Sequence, residues 1–200
     1  GKEEIQPAVF REDMLFNLHK AAEKCGKKIK IHIKVDTGMS RIGIQPDDAG
    51  LEFVRKCMNT EGIEIEGIFT HFARADEADL SYAVAQLNQF EDFLTRIKEE
   101  LGLHIPLCHC SNSAGIIELP EANMDAVRAG ISMYGLWPSD EVHHNRISFR
   151  PALSLTSHII LIKELGPGKQ ISYGGTFETK DVTRVATIPV GYGDGYPRSL

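Results

Sequence analysis

Residues 29–38 read IKIHIKVDTG: Ile29, Ile31, Ile33 and Val35 alternate with Lys30, His32 and Lys34, and the run breaks at Asp36, Thr37 and Gly38. A period of two in β-branched residues, stopped by turn formers, predicts a strand that ends at Asp36. Upstream, Leu15, Leu18, Ala21 and Ala22 fall at helical spacing between Met14 and Cys25, and Gly26 with two lysines supplies the stop. Downstream, Leu51, Val54 and Cys57 recur at helical intervals within residues 46–59, and IEIEGIFTHF over residues 63–72 reads as a second strand. A long amphipathic helix follows between Glu77 and Leu101, ended by Gly102. Then come a short strand over residues 104–110, a short helix over 112–119 closed by Pro120, and a strand or loop from Asp125 to Tyr134. Strand and helix in alternation predict a parallel sheet of the α/β class.

After about Pro138 the texture changes. Residues 153–165 are rich in Leu, Ile, Ser and Thr without a helical stripe, Gly166, Pro167 and Gly168 make a turn, and strand-like runs follow at residues 170–173 and 182–190. This half reads as β, which puts a domain boundary between Pro138 and Pro151, drawn at residues 1–145 and 146–200. A net charge of −6 argues against a nucleic-acid binder, and 42% hydrophobic residues mark a chain that buries a core. Four cysteines without CxxC spacing are too few for a disulfide scaffold, and no apolar run reaches the ~18 residues that cross a bilayer. The expected location is a reducing, cytoplasmic one, with no membrane segment and no nucleic-acid partner.

Polar side chains gather at the predicted strand ends, where α/β barrels place their sites. Lys34, Asp36 and Arg41 surround the first, with a solvated turn capped by Asp36 as the plainer reading. His71 ends the second strand. At the third, Asn112 and Ser113 open a short helix whose free N–H groups suit a phosphate, although an ordinary N-cap has the same composition. Arg128, Gly130 and Ile131 follow, the glycine and isoleucine offering two further backbone donors. In the β half, Tyr173 in ISYGG stands between a strand and two glycines, free to project or to pack. Cys108, His109 and Cys110 do not suggest a metal site, because alternation puts His109 opposite both thiols; no metal is expected.

Taken together, KVDTGMSRIGI from Lys34, THFARADEAD, HCSNSAG, VRAGISMYGLWPS, ISYGGTF and GYGDGYPR strongly resemble the alanine racemase family, in family order and nearly end to end. The resemblance implies a partial (β/α)8 TIM-type barrel followed by the start of a β-strand-rich C-terminal domain, and a head-to-tail homodimer with shared sites. It implies pyridoxal 5'-phosphate as cofactor and two-base interconversion of L- and D-alanine, supplying D-alanine for bacterial peptidoglycan. The family's serine racemases and its non-catalytic pyridoxal-phosphate homeostasis relatives are the alternatives; the latter lack a β-domain with an ISYGG tyrosine. The lysine that binds the cofactor lies in relatives within a KANAYGHG-like motif absent here, so the chain is expected to be a fragment and inactive alone.

Residue by residue, the resemblance puts Arg128 against the cofactor's pyridine nitrogen and Asn112, Ser113, Gly130 and Ile131 around its phosphate. Tyr173 corresponds to the second catalytic base, contributed to the other subunit's site, and His71 would hydrogen-bond to that tyrosine beside Arg128. Arg41 would contact the cofactor's phenolic oxygen and the substrate carboxylate. Lys34 aligns with a lysine that many relatives carbamylate to pair with this arginine. Ser40 replaces a frequent glycine.

Overall fold

The alternating run folds as expected and recruits a neighbour on each side. In the computed structural model, which describes residues 5–197, the strands and helices of the first half run β1 (Ala8–Val9), α1 (Glu12–Cys25), β2 (Ile29–Lys34), α2 (Asp48–Asn59), β3 (Ile63–Phe69), α3 (Ser81–Leu101), β4 (Leu107–His109) and α4 (Ser113–Glu118). The four strands form one parallel sheet in chain order. The two-residue β1 carries no sequence signal of its own; it is drawn in by pairing Ala8 with His32 and Val9 with Ile33.

One face of this sheet is apolar. Val9, Ile31, Ile33, Val35 and Ile68 share a core with Leu15, Leu51, Val54, Phe90 and Phe93 from the helices. The opposite face carries His32, Lys34, Phe69 and His109, whose rings and charges lie against one another: Phe69 and His109 stack at 4.8 Å, and the Lys34 ammonium lies 5.6 Å from the Phe69 ring centre. On this second face Lys34 and His109 are buried, while His32 and Phe69 are half-buried. The register slips once. Ile31 pairs with Ile65 but His32 with Gly67, so Glu66 is an extra residue in β3. That bulge turns Ile68 to the helix side and sets Phe69 level with Lys34 and His109.

Element ends differ from expectation for local reasons. The long helix starts at Ser81, not Glu77, because Asp79 accepts from the Ser81 N–H at 2.9 Å, Glu77 is spent on Arg74, and the Ala78 N–H is bound to Glu141 at 2.7 Å. The stretch from Asp125 is loop rather than strand, followed by a 3-10 turn at Ile131–Tyr134. It still runs beside the end of β4, tied by Cys108 N–H to the Asp125 carboxylate at 2.8 Å and Arg128 N–H to the Ser111 carbonyl at 3.0 Å.

The chain divides into two compact units, Gly1–Ala152 and Leu153–Leu200. The second is built from two antiparallel ribbons, β5 (Leu161–Leu165) with β8 (Thr183–Thr187) and β6 (Gln170–Ile171) with β7 (Phe177–Glu178). These strands are shorter than the β-rich texture of residues 153–165 and 182–190 predicts. The last residue of GYGDGYPR, Arg198, lies outside the described residues. Among those described, no helix is long and apolar enough to cross a membrane.

Candidate active site

Asp36 turns the chain at the end of β2. Its carboxylate accepts from the N–H groups of Gly38 at 3.1 Å and Ser40 at 2.9 Å, while its own N–H is held by the Ile44 carbonyl at 2.8 Å. Gly43 is required here: its φ is +133°, and a Cβ would stand 2.6 Å from the Asp36 nitrogen. Ser40 occupies the left-handed region at φ 55° without being glycine. The loop so formed presents Arg41 at the surface. Asp36 is thus the organiser of the turn, and Arg41 is its cargo.

Lys34, only 2% exposed, donates to the Val35 carbonyl. Burial pushes its ammonium down to about 8, with Asp36 opposing and the charges of Arg128 and Arg41 assisting. A lysine near 8 is partly neutral at physiological pH and therefore nucleophilic.

The side chains of His71 and Arg128 meet. The guanidinium donates to the Thr70 carbonyl at 2.7 Å, the Cys110 carbonyl at 2.9 Å, His71 Nδ1 at 3.2 Å and, closely, His109 Nδ1. All of these bonds leave from its two terminal nitrogens; Nε takes part in none of them. A guanidinium only donates, so both imidazoles are acceptors at Nδ1 and carry their proton on Nε2. Burial, then the neighbouring Arg128 charge, brings each ring down to about 4, which keeps both neutral. Behind His71 stands the buried Gln86 of α3, which donates to the His71 carbonyl at 3.2 Å and accepts from the Ala73 N–H at 2.9 Å.

The third strand end gathers an oxygen and a set of donors. Ser113 Oγ accepts from Gly130 N–H at 2.8 Å and Ser132 N–H at 3.3 Å and lies 3.0 Å from Ser132 Oγ. The converging N–H groups come from Gly130 and Ser132, whereas Ile131, between them, is 43% exposed. Asn112 serves as N-cap of α4, accepting from Gly115 N–H at 2.9 Å, and its amide donates to the Phe72 carbonyl at 3.2 Å. Its side chain is occupied in holding the two strand ends together. In the second unit, Tyr173 is 77% exposed on a 3-10 turn, following Ser172 at φ 63°.

Sequence reading missed His32, His109, Gln86 and Ser132. His109 was visible only as a rejected metal ligand, and His32 as one polar member of an alternating strand. The usable signal was that His32 shares strand parity with Lys34.

A family model described as the N-terminal domain of alanine racemase matches residues 2–138, and one for the C-terminal domain matches residues 152–200. The chain belongs to the alanine racemase family. It is similar to the alanine racemase of Methanococcus maripaludis, at 46% identity over 98% of this chain and 52% of that protein, and to that of Clostridium perfringens, at 43% over 98% and 51%. Among solved structures, alanine racemase of Clostridium difficile 630 superposes with a TM-score of 0.81 at 38% identity, covering 97% of this chain and 50% of that one. Alanine racemase from Streptomyces coelicolor A3(2) gives 0.82 at 32%, covering 98% and 52%. The chain spans about half the length of the relatives it matches. Its α/β architecture, a partial barrel leading into a β-rich domain, is that of alanine racemases.

Proposed function

We propose that this chain is the central part of a pyridoxal-phosphate-dependent alanine racemase that works by two bases from a homodimer. The observation that carries this is Arg128: a guanidinium fixed by two strand-end carbonyls and two neutral histidines, with its Nε uncommitted to any of them. The donors fit the cofactor. The Gly130 and Ser132 N–H groups and the Ser132 hydroxyl gather around Ser113 Oγ, and a phosphate entering there would take over these donors together with the Ser113 hydroxyl. Asn112 and Ile131 would complete that region from the helix cap and the turn. When bound, pyridoxal phosphate supplies an electron sink for the substrate's α-carbon.

What the chain's own residues do follows from their chemistry. Arg128 donates to the pyridine nitrogen and, being permanently charged, discourages protonation there, which weakens the sink and disfavours side reactions such as transamination. His71, with its proton on Nε2, would donate to Tyr173 of the other subunit, stabilising the phenolate form of that base. Racemisation takes a proton from one face and returns one to the other, and Tyr173 serves the second face. Arg41 receives the substrate carboxylate and the cofactor's phenolic oxygen. Lys34 in its neutral form would add its nitrogen to the carbon of carbon dioxide as one C=O π bond opens, an N–H proton leaving to solvent, so that a neutral amine becomes a carbamate anion able to pair with Arg41.

The names of the similar proteins favour alanine over serine, and the matched C-terminal domain disfavours a barrel-only, non-catalytic cofactor carrier. A cytoplasmic role in supplying D-alanine for peptidoglycan goes with this reading. The test is conversion of L-alanine to D-alanine by the intact protein with pyridoxal phosphate. Absence of D-alanine, with cofactor bound, would remove the proposal.

A further inference from the structure

Arg128 does not end its contacts at His109. His109 Nε2 lies 3.0 Å from His32 Nδ1, and His32 Nε2 lies 3.0 Å from Gln6 Oε1. The donor at one end and the acceptors along the line together set the protons in this chain. Arg128 can only donate, so His109 Nδ1 is bare and its proton sits on Nε2; that proton goes to His32 Nδ1; the remaining His32 proton, on Nε2, goes to the Gln6 carbonyl oxygen. Three donors point the same way, an arrangement in which each bond polarises the next.

The sheet is shaped for it. In register His32 stands beside Gly67, one level below the row formed by Lys34, Phe69 and His109. To reach His109 its ring leans across Gly67, where a Cβ would be 2.3 Å from His32 Nδ1. Any side chain at residue 67 would push the ring away. His109 is meanwhile stacked on Phe69 with the planes 4° apart, which leaves its two nitrogens aimed at Arg128 and His32. The bulge at Glu66 puts Gly67 opposite His32.

We propose that His32 is a positioning residue for Arg128: by accepting the Nε2 proton of His109 it holds that ring in the tautomer whose Nδ1 receives the guanidinium. His32 has no contact with Arg128 itself; its ring nitrogens go to His109 and Gln6. It acts through a second imidazole, and Gly67 is the space that lets it do so. This rests on the racemase reading only for its consequence at the cofactor; the tautomers themselves are a property of the protein.

The experiment is side-chain 15N NMR of the histidines in the intact protein without cofactor, followed by titration with pyridoxal phosphate. Wild type is expected to show His109 and His32 each as a single tautomer, protonated at Nε2. His32→Phe, which keeps the ring and removes the acceptor, should let the His109 tautomers mix and weaken pyridoxal phosphate binding about tenfold, equivalent to about 1.4 kcal/mol. His32→Asn restores an acceptor near the Nδ1 position and should recover the single tautomer and most of the affinity. Gly67→Ala provides the same test without touching either histidine, should His32→Phe fail to fold. A proton on His109 Nδ1 in wild type, or an unchanged His109 tautomer in both His32→Phe and Gly67→Ala, overturns the proposal. So does His32→Asn behaving as His32→Phe. Ordered tautomers in a protein that does not bind pyridoxal phosphate would leave the relay standing and overturn the racemase reading instead.

Discussion

The two units hold their functional side chains by opposite means. In the first, Arg128 has four partners, His71 is braced by Gln86, and the sheet behind them has a buried apolar face. In the second, ladders of backbone bonds do most of the work. Its described fully buried side chain is Thr179, whose hydroxyl bridges the Gly166 carbonyl and the Lys169 N–H at 2.7 and 2.9 Å, while Leu153, Leu155, Leu161 and Val182 are at least half exposed. Side-chain networks on a packed sheet fix the geometry of the groups they join. An exposed tyrosine on a thin ribbon becomes useful only where another surface receives it.

The sharpest way to break this contrast is Tyr173→Phe in the intact protein. It should lower proton exchange at the α-carbon of one enantiomer by about 10²–10⁴-fold, the usual range for a lost acid–base group, while leaving cofactor binding in place. Deuterium incorporation measured from each enantiomer separately checks this; equal loss in both directions without isotope asymmetry counts against two bases. Arg128→Glu attacks the other unit. Reversing a charge among fixed carbonyls should cost about 3–5 kcal/mol of stability, read from urea midpoints, and should raise the share of transamination among products.

A gentler probe is acid. His71 and His109 are held near 4 in the folded state against about 6.5 unfolded, so the unfolded chain binds more protons across that window. Their contribution is fully present above about pH 6.5 and is lost as pH falls toward 4, at roughly 1.4 kcal/mol per unit of displacement for each ring. Urea midpoints from pH 7.5 to 4.5 should fall, and the fall should be shallower in His71→Asn with His109→Asn.

The smallest expected effect concerns the segment that leads out of the first unit. Burial pushes the Glu118 carboxyl up, and the bonds from His143 and Arg146 outweigh it, leaving the group below the ordinary carboxylate range. Glu118→Gln should destabilise by about 1–3 kcal/mol, the cost of a buried polar group left imperfectly paired, measured by thermal unfolding at pH 7. The difference from wild type should shrink as pH drops through the folded carboxyl's titration, because the wild-type contribution is lost there too.

Much of this was legible in the chain alone. Period-two and helical spacings located β2, β3 and α1 to α3, since burying one face imposes a local rhythm on the sequence. Strand ends marked Lys34, Asp36, His71 and Ser113, because turns and caps use a small set of residue types. The two-residue β1 was not legible, nor was the brevity of β5 and β8, because such short pairings depend on partners remote in the chain. That the Ser132 N–H joins Gly130 on Ser113 was equally out of reach, since the direction of an N–H in a 3-10 turn is set by backbone angles that neighbouring residues share.

What the amino-acid order determined by itself was the α/β alternation, the switch to β texture after Pro138, and the residue types available at each strand end. Tertiary structure decided which of those residues meet. The single extra residue at Glu66 rotates the rest of β3 by one side chain, brings Gly67 under His32 and Phe69 under His109, and so joins two histidines 77 positions apart to Arg128. Register is a cooperative property of paired strands: nothing in IEIEGIF read alone says where it slips, because the slip is chosen by how well the facing strands and the helix-side core pack.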